Sequence, residues 1–79
     1  MQRFYFHLHN TVEVPDEEGS LCVDLASAKA SAIQTIRKLM ADDIIVFGEL
    51  TLSHCIAIES EHGLQMLTVR FGDAVRINP

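Results

Sequence analysis

Histidine, cysteine and carboxylate side chains are the groups in this sequence best suited to chemistry, and His7-Leu8-His9 is their most suggestive arrangement. Alternate residues of a strand share a face, so both imidazoles point the same way, about 6.6 Å apart along the chain. Such a pair can place two nitrogens on one metal ion. Two ligands are too few. Cys55 is the one further candidate, provided that its strand lies beside the first; His54 belongs to the opposite face and His62 to a turn. The expectation is two partly exposed histidines with no metal and no cofactor. A small metal-binding protein using His7 and His9 is an alternative.

Ser53-His54-Cys55 uses catalytic residue types, but adjacent strand residues face opposite ways, so His54 is badly placed to serve Cys55 as a base. An arginine across the hairpin, Arg70, could lower the Cys55 thiol pKa, although an inert half-buried cysteine is the simpler expectation. Glu13, Asp16, Glu17 and Glu18 gather in an acidic loop without the alternating oxygen ligands of a calcium loop. The four glycines are isolated, so no phosphate-cradling loop exists, and there is no nucleophile elbow. Catalysis is expected only if an oligomer creates a site.

The elements that must position these residues follow from periodicity. Gln2 to His9 alternates as a strand, with Phe4, Phe6 and Leu8 on a buried face and Arg3, Tyr5, His7 and His9 opposite. Asn10-Thr11 is a turn, and Val12 to Val14 a short strand ended by Pro15. Asp16-Glu17-Glu18-Gly19 is a second turn, and Leu21 to Val23 is extended. Asp24 caps a helix from Leu25. Leu25, Ala28, Ala32, Ile36 and Leu39 or Met40 recur at helical spacing, with Ile33 beside them. The helix is expected to run to Phe47, with Gly48 at the left-handed C′ position; a stop near Ala41, leaving 44–47 as a strand, is the alternative. Ser53 to Glu61 and Leu64 to Phe71 form a hairpin around His62-Gly63. A two-residue turn sets Ile58 against Leu67, Ile56 against Val69, His54 against Phe71, Glu59 against Met66, Ala57 against Thr68 and Cys55 against Arg70. The tail after Gly72 can add a short return. The result is an α+β single domain over 1–79: a small, mainly antiparallel sheet in ββαββ order with one long helix on one face.

Composition narrows the function. The net charge is -5, and the six basic residues are scattered except for Arg37-Lys38. Phosphate binding depends on clustered Lys and Arg, so neither nucleic acid nor an anionic membrane is an expected partner. Two cysteines make no disulfide framework. No signal-peptide pattern precedes the first strand, and no apolar run approaches the roughly 20 residues of a membrane span. The expected compartment is a bacterial-type cytoplasm.

Geometry points to partners. A helix from Leu25 to Phe47 is roughly 34 Å long, whereas strands of eight residues span roughly 26 Å. Its end, carrying Ile44, Ile45, Val46 and Phe47, should overhang the sheet. Ile45 lies about half a turn from Ile36 and cannot face the same core. Either Leu50 and Leu52 fold back over this end, or a partner covers it. One helix also covers only one sheet face. The other shows Tyr5, Met66 and Arg70, types enriched at interfaces. A homodimer using the helix end, the open face or both is expected.

The opening Arg3-Phe4-Tyr5-Phe6-His7-Leu8, the turn Asp16-Glu17-Glu18-Gly19, Asp24-Leu25 with Ala28 and Ala32, and Leu67-Thr68-Val69 with Phe71 resemble a family of short alphaproteobacterial proteins grouped as a domain of unknown function. The resemblance covers most of the chain and implies no activity, cofactor or catalytic residue. It departs at Ile44 to Phe47, where more polar, often basic residues are expected before the glycine. The stretch Asp16 to Ala32 also resembles the antitoxin subunit of small bacterial toxin–antitoxin pairs, which usually add a DNA-binding segment where this chain has a hairpin. The function expected is that of a homodimeric interaction module, with an antitoxin-like regulator of a partner protein as the alternative.

Overall fold

A computed structural model describes all 79 residues. Three strands precede the helix and two follow it: β1 (Gln2–His9), β2 (Glu13–Val14), β3 (Ser20–Cys22), α1 (Leu25–Phe47), β4 (Cys55–Ser60) and β5 (Gln65–Arg70), closed by a 3-10 turn at Phe71–Asp73. All strand pairs are antiparallel. The order is β2-β1-β4-β5, with β3 also paired to β1. Since β4 takes one edge of β1 from Phe4 to His9, β2 and β3 share the other. The protein is therefore α+β, with one helix on one face of a five-stranded open sheet.

The alternation of β1 does what period two demands. Phe4 is buried and Phe6 and Leu8 pack against the core, where they meet Ile56 and Ile58 of β4 and Val69 of β5. The helix answers with Ala28, Ala32, Ile36 and Met40, spaced four residues apart along one buried stripe. Phe71 and Ala74 close the core after β5. The tail forms no strand; the Arg37 Nε–H holds it by donating to the Ala74 carbonyl at 2.7 Å.

Local signals fix both helix ends. The Asp24 carboxylate accepts the Ser27 amide at 2.8 Å. Gly48 takes φ 66° and its N–H donates to the Ile44 carbonyl at 3.0 Å. The helix runs to Phe47 and does not stop near Ala41.

Two local expectations need correction. Val12 lies in the turn, where its N–H donates to Asn10 Oδ1 and its carbonyl accepts from the Asn10 N–H; β2 is only Glu13–Val14. The β4–β5 connection has three residues, Glu61-His62-Gly63, because the Ser60 N–H donates to the Leu64 carbonyl and Gly63 sits at φ 79°. The added residue makes Glu59 pair with Gln65 and not with Met66. A bulge at Met66 absorbs it, so Ile58↔Leu67, Ala57↔Thr68, Ile56↔Val69 and Cys55↔Arg70 keep the register that buries one face. His54 still meets Phe71: its carbonyl accepts the Phe71 N–H at 2.7 Å, and the two rings lie edge-on at 5.5 Å.

Candidate functional site

On the open face, β1 carries Tyr5, His7 and His9 beside Glu59, Ala57 and Cys55 of β4. His7 has two partners. Its Nδ1 accepts the Asp16 N–H at 3.1 Å, and its Nε2 lies 3.6 Å from Glu59 Oε1. An imidazole whose Nδ1 accepts carries its proton on Nε2, here the nitrogen that faces Glu59. His9 Nδ1 is 3.5 Å from Glu13 Oε1. Both histidines and both glutamates line one groove of about 280 Å³. Cys55 pairs with His9 across β1 and β4, so the neighbouring strand that a third ligand required is present. Even so, no three His, Cys, Asp or Glu side chains converge on a point that could hold a metal ion. Each imidazole instead faces its own carboxylate. Ser53-His54-Cys55 is likewise split, with His54 against Phe71 and Cys55 opposite Arg70. The Arg70 guanidinium lies 3.5 Å from Asp73.

The residue that organises this end of the sheet is Asp16, which the sequence presents as turn chemistry and as one carboxylate of an acidic loop. β2 and β3 leave a gap along β1, and Asp16 fills it. Its carboxylate accepts the Phe6 N–H at 3.1 Å, the Gly19 N–H at 3.0 Å and the Glu18 N–H at 3.2 Å, while its own amide goes to His7. A side chain thus satisfies an amide that a longer strand would have bonded. Partial burial pushes the carboxyl pKa up. The amides of Gly19, Phe6 and Glu18, with His7 nearby, outweigh that and hold it below the usual aspartate value. Gly19 completes the turn at φ 70°. A Cβ there would lie 2.9 Å from the Phe4 carbonyl oxygen, so both conformation and space require glycine. The available signal is the spacing Asp-x-x-Gly, which marks an aspartate able to bond amides two and three residues ahead.

The second candidate surface is the end of α1. The helix overhangs as its length demands. Ile44, Ile45, Val46 and Phe47 are 52%, 80%, 68% and 69% exposed. Leu50 and Leu52 do not cover them; they are partly exposed themselves, and Leu52 packs beside Gly72 and accepts its N–H at 3.0 Å. Under the overhang lies a groove of about 540 Å³ with Leu39, Phe47 and Phe71 in its lining and Asp43 and Glu49 as its carboxylates. Met66 and Tyr5 remain on the open face, Met66 exposed and Tyr5 half-buried and stacked on His7.

These surfaces belong to a chain in which no helix is long and apolar enough to cross a membrane. Comparison with curated proteins and with solved structures gave no match. A family model matches residues 3–72, a span running from the first strand through the Asp16 turn, the helix and the hairpin to the closing 3-10 turn. The chain therefore belongs to DUF6894, a domain of unknown function.

Proposed function

We propose that this protein is a homodimeric protein-interaction module of the bacterial cytoplasm, acting by contact and not by catalysis. One observation carries the reading: four consecutive apolar residues, Ile44 to Phe47, stand uncovered at a capped, regular helix end. Exposed apolar clusters of this kind mark contact sites. A domain of this size buries a limited core and gains stability from association. The open sheet face, with Tyr5, Met66 and Arg70, offers a second contact area of residue types common at interfaces.

A second reading, that of an antitoxin-like regulator, draws support from charge. Asp42, Asp43 and Glu49 flank the apolar end, and the last helical turn has no basic residue. The helix C-terminus adds partial negative charge. A protein partner meeting this end would bring positive charge. The test is affinity capture from the native host with the wild-type chain and with Ile45→Gln/Phe47→Gln. A partner held by the wild type and lost by the variant is the expected result. Identical capture by both chains would overturn the contact role of the helix end.

A further inference from the structure

The two edges of the sheet are unlike. On the β1 side, pairing is broken into β2 and β3, of two and three residues, with Pro15 between them and Asp16 closing the gap. Glu13, Glu17 and Glu18 add charge there. These are the devices by which proteins deter strand addition. The far edge, β5, has few of them: a bulge near its start and one charge, Arg70, at its end. It is six residues long, with the apolar pair Leu67 and Val69 and no proline.

The hydrogen-bond pattern shows which β5 groups are free. The Phe71 N–H bonds to the His54 carbonyl just before β4. Antiparallel pairs alternate between bonded and non-bonded. With the register Ile56↔Val69 and Ile58↔Leu67, residues 69 and 67 bond to β4. Thr68 and Arg70 therefore direct their backbone N–H and C=O groups outward, away from the sheet.

We propose that β5 pairs antiparallel with β5 of a second copy about a two-fold axis at Thr68, making one continuous sheet. This rests on the homodimer reading and adds the β5 edge to its contact surfaces. The register supports a second copy as the occupant. Pairing about Thr68 sets Thr68 against itself, Leu67 against Val69 and Met66 against Arg70. The core-facing pair is then wholly apolar, the Thr–Thr pair is a favourable one, and no like charges stand opposed. The outward groups of Thr68 then face those of Thr68 in the second copy, and the outward groups of Arg70 face the backbone of its Met66. Pairing about Leu67 would set Val69 against the Gln65 amide.

The experiment combines sedimentation equilibrium with amide hydrogen exchange of the wild-type chain at low and high protein concentration. The expected result is a dimer in which exchange at Thr68 and Arg70 slows by roughly tenfold or more as it assembles. Thr68→Pro should be monomeric with an unchanged circular dichroism spectrum, since an outward N–H makes no internal bond and proline is tolerated at an edge. A dimer whose Thr68 and Arg70 amides exchange freely at every concentration overturns the edge pairing and leaves the homodimer reading standing. A monomer at several hundred micromolar overturns both. If Thr68→Pro fails to fold, the wild-type exchange result decides.

Discussion

The two ends of α1 are built by equally good local rules and meet opposite surroundings. At the N-terminal end, Asp24 caps the first turn and the stripe that follows, Ala28 and Ala32, is fully covered by the sheet. At the C-terminal end, Gly48 terminates the helix as cleanly, yet Ile44 to Phe47 before it stay more than half exposed. A regular helix is therefore poor evidence of a core role for its apolar residues. What separates the ends is length. The sheet runs out under Met40, the last buried helix residue, and the helix continues from there to Phe47. On this account the covered part of α1 serves folding and the overhang serves contact.

The comparison breaks if the two halves respond alike to truncation. The largest effect should come from the covered half. Ile36→Ala, at a fully buried position, should cost about 2–5 kcal/mol in denaturant unfolding. Next is the turn that fixes the sheet edge. Gly19→Ala adds a Cβ 2.9 Å from a backbone oxygen and strains φ 70°, and should cost about 2 kcal/mol. Acid sensitivity should follow the carboxylates. Asp16 is held down as described above, and Asp24 by the Ser27 amide and hydroxyl. Each has a lower pKa folded than unfolded. The stability each contributes is present above the unfolded value of about 3.9 and is lost as pH falls through the folded one. Unfolding free energy measured from about pH 5 to about pH 2 should fall, and Asp16→Asn should make that fall shallower.

The sequence made the fold legible where periodicity was strong. The alternation of β1 named Phe4, Phe6 and Leu8 as core-facing, and the two caps placed the helix ends. The hairpin was legible in its core register and not in its turn. A three-residue loop and a bulge at Met66 cancel, so the apolar pairs survive while Glu59 shifts to Gln65. Strand order was not legible, because pairing partners are set by tertiary packing. The Asp16 network was hidden for a similar reason. Its local bonds to the amides of Glu18 and Gly19 follow from turn spacing, but its bond to Phe6 depends on where β2 and β3 leave β1 unpaired. Of the candidate site residues, His7 and His9 were correctly placed on one face, but the carboxylates that occupy them came from β4 and β2. The overhang was foreseeable from lengths alone; its exposure depended on where Leu50 and Leu52 turned.

The most direct measurement of the central claim is the unfolding free energy of Ile45→Gln/Phe47→Gln beside that of the wild type, at a protein concentration low enough to keep both monomeric. If these residues serve contact, the double variant should match the wild type to within about 1 kcal/mol, as exposed substitutions do. A loss of about 3 kcal/mol or more would place them in the folding core and contradict the account.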